Sequence, residues 1–341
     1  MGIKHLNRFF MDNCSKKSIK KQSLESLRNK TIVIDTSIYL YKYRADNLLI
    51  ENMYLLISIL LKYDILPIFV FDGKSPPEKK ELINQRCAQK SEAEQQFNLL
   101  KAKINEPPGL PNIISETEKK EITDEMEQLK KQFVRINKTD INKVKELFSA
   151  YGVPYIDAEG EADVLCVNMV KNGRAWACLS DDMDMFVYGC PRVLRYISLV
   201  QYSVILYDIE MILSELKMTM PLFREIMVLS GTDYNINEQT SLSQTINWLY
   251  EYRRYCPTNN NNNNNNQSFY QWLNVNTKYI QDYDRLMKTA QMFELSADLP
   301  ESISNLSFEK KTTNFEELYK ILGLYGFICL PNQTNQIMDA T

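Results

Sequence analysis

The sequence predicts an α/β protein: a mostly parallel central sheet flanked by helices, with a projecting helical arm and a helical C-terminal region. Three observations predict it. Strand and helix patterns alternate through the first 75 residues and again from Ile141. Between them, from Lys74 to about Lys145, lies a polar stretch rich in Lys, Glu and Gln. Beyond Asp208 the pattern is helical.

Taken in order, Thr31–Asp35 reads as a buried strand, Asn47–Lys62 as an apolar-striped helix and Leu66–Asp72 as a second strand. Strand, crossover helix and strand make a βαβ unit, which implies parallel pairing. Pro76-Pro77 then opens the polar stretch, which is broken again by Pro107-Pro108-Gly109 and Pro111. Two polar helices, roughly Glu78–Ile104 and Glu116–Val134, fit it best. Their apolar stripe is weak, as expected of an arm outside the core; a disordered charged insert is the alternative. The α/β pattern resumes with a helix to Tyr151, a strand at Val153–Ile156 and a helix after Glu161. Strands follow at Ala175–Leu179 and near Val193–Ile197. Eight consecutive asparagines, Asn259–Asn266, mark a disordered surface loop spanning 257–267. The boundaries expected are therefore 1–73, 74–140 for the arm, 141–235, and 236–341 for the C-terminal region.

At 341 residues with 44% hydrophobic content the chain can bury a sizeable core. Its seven cysteines are odd in number, widely spaced and without a CxxC, which excludes a disulfide framework and a cysteine zinc site. His5 is the only histidine, leaving little room for histidine catalysis. The longest apolar stretch, Met53–Leu61, is too short to span a bilayer, and no signal peptide is seen, so a soluble intracellular monomer with no membrane partner is expected. The net charge is −3, but the basic residues are uneven. Residues 1–30 carry eight Lys/Arg against Asp12 and Glu25, a stretch that either tracks phosphates or is a solvated face.

The acids carry the chemistry. Asp35 and Asp72 end strand-like runs, Glu161 and Asp163 form one i, i+2 pair, Asp182 and Asp184 another, and Asp233 follows Leu-Ser-Gly-Thr. Each alone also reads as a turn aspartate or a helix-terminal acid. Together they point to one place, because the carboxyl ends of parallel strands are where open α/β sheets bind ligands. Carboxylates converging there cannot all stay ionised without a cation, so a Mg²⁺ or Mn²⁺ site follows. Two acids two apart in a turn point the same way and can serve one ion pair. Two ions about 3.5–4 Å apart would clamp the attacking and leaving oxygens of a phosphodiester. No Ser, His or Cys nucleophile is then required.

These residues resemble the flap endonuclease/XPG superfamily of structure-specific 5′ nucleases. The start Met1-Gly2-Ile3-Lys4, IVIDTS from Ile32 and VFDGKSPPEKKEL from Val70 are similar to its N-terminal block. GVPYIDAEGEADVLC from Gly152, SDDMDMFVYGCPRVLRYI from Ser180 and LSGTDY from Leu229 are similar to its internal block. The resemblance implies a PIN-like/XPG nuclease core and makes the arm a helical arch. It implies Asp35, Asp72, Glu161, Asp163, Asp182, Asp184 and Asp233 as ligands of two Mg²⁺ ions, with Mn²⁺ possible. It also implies Lys80 and Arg86 at the scissile phosphate, though Arg86 sits one residue out of register. Gly2 and Lys4 would lie by the active site, Tyr39 or Tyr41 would stack on a base, and Lys131 and Arg135 would hold a 5′ strand. Core packing is the alternative for either tyrosine.

One departure matters. Where the family has a Gly-Ile-Gly-Pro-Lys-like turn gripping the downstream duplex, this chain has Gln239-Thr240-Ser241-Leu242-Ser243-Gln244. The C-terminus also lacks the Gln-x-x-Leu-x-x-aromatic-aromatic box that docks on a sliding clamp. Divergent relatives in large DNA viruses, including a poxvirus repair-nuclease group, have a similarly reduced turn. The site of action is then either a nucleus or a viral replication site in the host cytoplasm. The expected activity is Mg²⁺-dependent cutting of branched or 5′-ended DNA (a flap, gap, nick or end) in repair, recombination or replication. The alternatives are an mRNA-degrading ribonuclease on the same scaffold and a non-catalytic DNA-binding or assembly factor.

Overall fold

Alternation along the strands gives the sheet two apolar faces. Ile32, Ile34, Phe69, Phe71, Leu194 and Leu206 belong to one buried cluster, and Val33, Ile68, Val70, Val193 and Tyr207 to the other. This is the period-two consequence of a pleated backbone. The computed structural model describes residues 2–104, 116–235, 240–255, 267–295, 299 and 301–328. The first part runs Leu6–Asn13 (α1), Ile19–Ser23 (β1), Thr31–Asp35 (β2), Thr36–Ala45 (α2), Leu49–Lys62 (α3) and Leu66–Phe71 (β3). Next come the long helices Lys80–Ile104 (α4) and Glu116–Gln132 (α5). The α/β pattern resumes with Lys138–Tyr151 (α6), Tyr155–Asp157 (β4), Ala162–Lys171 (α7), Ala177–Leu179 (β5), Asp184–Val187 (α8), Arg192–Ser198 (β6) and Ser203–Asp208 (β7). Helices follow: Ile209–Leu216 (α9), Met220–Leu229 (α10), Leu242–Tyr255 (α11), Phe269–Asn276 (α12), Tyr283–Met292 (α13), Glu301–Ser304 (α14) and Phe315–Gly323 (α15).

The seven strands lie in the order β1-β7-β6-β5-β2-β3-β4. From β6 to β4 the pairing is parallel, while β7 and β1 add an antiparallel edge. β2 sits between β3 and β5, so the chain leaves it first to one side and later to the other. That reversal opens a crevice at the carboxyl ends of β2 and β5. Helices cover both faces: α3, α6 and α15 contribute to one cluster, and α1, α7, α10, α12 and α13 to the other. α6 shows how local sequence sets an element. Asn137 and Asp140 form a reciprocal capping box at its start, and Gly152, at φ 78°, ends it; such a cap stabilises by about 1 kcal/mol. Phe148 on its inner face stacks on Phe69 of β3 at 4.1 Å.

Three differences from the sequence reading have physical causes. The lysine-rich stretch contains β1, whose pattern is hard to see because only Ile19 is buried; lysines on an edge strand also discourage pairing with other chains. β7 completes a hairpin with β6 that the sequence reading did not contain. The helix assigned to Asn47–Lys62 is preceded by a separate α2, the two being split at Asn47, which adopts φ 56°. Over its described residues the arm is a helix pair. Ala93, Ile122 and Leu129 are buried, and Phe97 meets Phe133 edge-on at 5.4 Å. Residues 105–115 and 256–266, including the asparagine run, fall outside the described residues.

Burial pushes the carboxyl of Glu225, on α10, up to about 7, against the opposing pull of Ser268 and the Phe269 backbone at the start of α12. A carboxyl whose folded pKa is raised stabilises below its unfolded value of about 4.3 and loses that contribution as pH climbs through about 7. Glu225→Gln should therefore match the parent near pH 4 and be more stable by on the order of 2 kcal/mol at pH 8. Urea unfolding at both pH values checks this; a difference that does not change with pH would contradict it.

Candidate active site

All seven acids singled out from the sequence come to the carboxyl edge of the parallel strands. Asp35 is the last residue of β2, Asp72 follows β3, and Asp182 and Asp184 follow β5. Glu161 is the residue before α7, Asp163 lies in that helix's first turn, and Asp233 lies beyond α10. Neither Asp35 nor Glu161 uses its carboxylate to cap the helix it precedes.

Their hydrogen bonds and mutual fields define one cluster. Asp35, 7% exposed, accepts from Ser180 Oγ at 3.2 Å. Asp72 accepts from the Ala162 backbone N–H at 2.8 Å and from Ser37 Oγ at 2.5 Å. Glu161 takes Lys79 Nζ on one oxygen at 2.6 Å and Tyr234 Oη on the other at 2.5 Å. Asp182 accepts from the Asp184 backbone N–H at 3.0 Å, and Asp233 pairs with Arg86 Nη2 at 2.8 Å. Burial, followed by the charges of Asp72, Asp163 and Asp182, holds Asp35 well above the usual carboxylate range. Burial and then Asp182 and Asp233 do the same to Asp184. Asp163 rises to about 7, mainly through burial, with Lys79 pulling the other way.

Among the described residues no three acids stand at metal-ligand spacing around one point; Lys79, Arg86, Ser37, Ser180 and Tyr234 each engage a carboxylate oxygen instead. The donor set still fits a hard divalent cation. It offers carboxylate oxygens, the ligands Mg²⁺ and Mn²⁺ prefer. Asp184, 1% exposed, has a buried Oδ1 with no hydrogen-bond partner among the described residues. An orphaned carboxylate oxygen among like charges is costly unless a cation compensates it. Gly2 closes this side: at φ +74° its absent Cβ would fall 2.5 Å from Asp184 Oδ1 and 2.8 Å from Asp182 Oδ1. Only glycine allows the backbone so near. Lys4 is exposed.

The basic and aromatic candidates divide. Lys80 is exposed, whereas its neighbour Lys79 is buried against Glu161 with its ammonium 4.7 Å from the centre of the Tyr234 ring. Burial opposes the charged form of Lys79, but Asp163, Tyr234 and Glu161 outweigh it and keep the group above its ordinary value. That Lys79 rather than Lys80 meets the acids has a geometric cause. Pro77–Lys79 forms a single 3-10 turn leading into α4, and Lys79 and Arg86 are seven residues apart. Seven residues are two helical turns, so both side chains share a face; six residues do not. That spacing was the available signal. Tyr39 takes the alternative the sequence left open: fully buried on α2 and 5.8 Å from the Tyr43 ring, it packs in the core. Tyr41 is 44% exposed, with Lys90 Nζ over its ring at 4.6 Å. Lys131 is exposed on α5, and Arg135, beyond that helix, pairs with Glu94 at 2.8 Å. Sequence reasoning missed Tyr234 as a partner of Glu161 and Ser180 as a partner of Asp35. Tyrosine and serine are too common for either to be singled out by pattern.

The α10–α11 junction is built without the glycine turn: Thr240 Oγ1 donates to the Leu229 carbonyl at 2.5 Å and Leu242 opens α11. Residues 236–239 fall outside the described residues. Among the described residues, no helix is long and apolar enough to cross a membrane.

The chain matches the XPG N-terminal domain over residues 1–93 and the XPG I-region over residues 152–233. Flap endonuclease 1 of Methanococcus aeolicus is 31% identical over 246 residues, covering 67% of this chain and 68% of the relative. Flap endonuclease 1 of Glycine max is 30% identical over 253 residues, covering 69% of this chain but 62% of that relative, so the chain spans less than two thirds of it. Among solved structures, the catalytic core of Rad2 in complex with DNA substrate superposes with a TM-score of 0.66 at 19% identity, covering 100% of each chain. Flap endonuclease-1 from Methanococcus jannaschii does so with a TM-score of 0.60 at 21% identity, covering 95% of this chain and 96% of its own. At such identities the superpositions establish the fold.

Proposed function

We propose that this chain, which belongs to the flap endonuclease/XPG family, is a Mg²⁺-dependent structure-specific 5′ nuclease hydrolysing phosphodiester bonds in branched or 5′-ended DNA. The observation that carries the proposal is the gathering of seven acids on one sheet edge with Lys79 and Arg86 among them. Asp35, Asp72, Glu161, Asp163, Asp182, Asp184 and Asp233 would hold the divalent ions, Mg²⁺ with Mn²⁺ as substitute. When bound, a pair of such ions supplies hydroxide near neutral pH and neutralises charge on the departing 3′ oxygen.

The remaining work falls to the chain's own side chains. Lys79, in the turn leading into α4, and Arg86, on α4, each contact an acid of the cluster, a place from which two cations can draw the scissile phosphate towards it. Tyr41, exposed beside Lys90, offers a stacking face that any base can use. We read 1–73 and 141–235 as the nuclease blocks, 74–140 as the arch and 236–341 as a divergent helical region. Lys131 and Arg135 would hold a 5′ single strand at the arch. Because Thr240 and Leu242 stand where glycines would admit a phosphate, the grip on downstream duplex is weaker than a glycine-rich turn would provide.

The test is cleavage of 5′-labelled DNA flap, gap and nick substrates and matched RNA flaps by purified protein with Mg²⁺, beside Asp182→Asn. DNA flaps should be cut by the parent alone. Equal survival of every substrate with both proteins would refute the nuclease reading, and cutting confined to RNA would convert it to a ribonuclease.

A further inference from the structure

Arg195, on β6, is 4% exposed, yet among the described residues no carboxylate pairs with its guanidinium. A buried cation held only by neutral groups is destabilising compared with an apolar residue of similar volume. Packing alone therefore does not account for an arginine here. Its contacts supply a different reason. Nη2 donates to the Asp181 carbonyl at 2.8 Å, and Nη1 donates to Asn7 Oδ1 at 3.1 Å. The guanidinium also lies over the rings of Tyr196, at 4.6 Å, and Tyr207, at 5.5 Å.

Those two hydrogen bonds join the two segments that form one wall of the acid cluster. On one side, Asp181 directly precedes Asp182. The same loop is fastened to β6 twice more, by Ser180 N–H to the Leu194 carbonyl at 3.1 Å and by Tyr196 N–H to Asp181 Oδ1 at 2.9 Å. Tyr196 adopts φ 54° to make the second of these bonds, a conformation a tyrosine rarely takes. On the other side, Asn7 lies in the first turn of α1, five residues from Gly2, whose Cα faces Asp182 and Asp184. Asn7 Oδ1 also accepts from Tyr207 Oη at 2.8 Å, so two donors fix its orientation.

We propose that Arg195 is a positioning residue: through Asn7 and the Asp181 carbonyl it holds the amino-terminal segment and the Asp182/Asp184 loop in register with each other. This rests on the nuclease reading only for its effect on turnover, since the clamp itself is read without substrate. A forked guanidinium spans both acceptors and a lysine ammonium does not.

The experiment uses the full chain. Hydrogen exchange followed by mass spectrometry reports residues 2–10 separately from β5 and β6, and flap cleavage reports kcat and KM. Arg195→Gln, Arg195→Lys and Asn7→Leu should each speed exchange in residues 2–10 by about tenfold, leave β5 and β6 protected, and lower kcat by about tenfold with KM within about twofold. Asn7→Asp, which keeps the acceptor oxygens, should restore both readouts. Arg195→Gln with Asn7→Leu should be no worse than either alone, as expected of partners in one interaction. Exchange in residues 2–10 unchanged by Arg195→Gln, loosening spread equally over β5 and β6, or additive effects in the double variant would each overturn the proposal. If the parent cuts nothing, the nuclease reading fails while the exchange measurements still decide the clamp.

Discussion

Asp184→Asn is expected to abolish cleavage while making the metal-free protein harder to unfold. Asp184 is 1% exposed, its Oδ1 has no hydrogen-bond partner among the described residues, and Asp182, Asp233 and Asp163 add like charge around it. Such an arrangement is a poor way to stabilise a fold and a good way to bind a divalent cation. Removing one charge relieves repulsion, so the metal-free variant should gain on the order of 1 kcal/mol, seen as a higher thermal midpoint in chelator. On the function proposed above the same change takes away a metal ligand, and kcat for a DNA flap should fall about a thousandfold or more, equivalent to roughly 4 kcal/mol of barrier. Affinity for the flap, measured by anisotropy without metal, should stay within about twofold, because the acids do not attract phosphate. If the variant were less stable than the parent in chelator and equally active, the acid cluster would be structural.

If Lys79 acts on the scissile phosphate as proposed, Lys79→Ala should cost about a hundredfold to a thousandfold in kcat, the loss expected on removing a preorganised charge. Lys80→Ala, one residue away and exposed, should change kcat by less than about threefold. Lys79→Arg would keep the charge but not the compact ammonium that fits between Glu161 and the Tyr234 ring, so only partial recovery is expected. Single-turnover cleavage of one 5′-labelled flap by all three variants separates the cases. Equal losses for Lys79→Ala and Lys80→Ala would place the relevant cation elsewhere, and Arg86, bonded to Asp233, would be the next candidate.

Much of the candidate site is legible in the sequence. Asp35 and Asp72 announce themselves because β-branched and apolar runs precede them, and a buried parallel strand can be recognised by that composition. The two i, i+2 pairs stand out because acids two apart in a turn can point the same way and serve one ion pair. Counting from the proline pair leads to Lys80, whereas the 3-10 turn at Pro77–Lys79 turns Lys79 towards Glu161. Tyr39 and Tyr41 are indistinguishable by type, and only the packing of α2 sends one inward and the other out. β1 escaped notice because an edge strand buries little and its lysines read as a phosphate-binding surface.

Local pattern along the chain was enough to specify an α/β core, a polar helical arm, seven acids at strand and helix ends and the family to which the chain belongs. Those properties are written in short windows, where burial period and turn chemistry leave direct marks on residue choice. The partners were settled only in three dimensions: Lys79 with Glu161, Arg86 with Asp233, Gly2 against Asp184, and Arg195 between Asn7 and Asp181. Each pairing joins segments far apart in the chain. Which side chain faces which depends on strand order and helix phase, and those come from burying the whole core at once rather than from any single stretch.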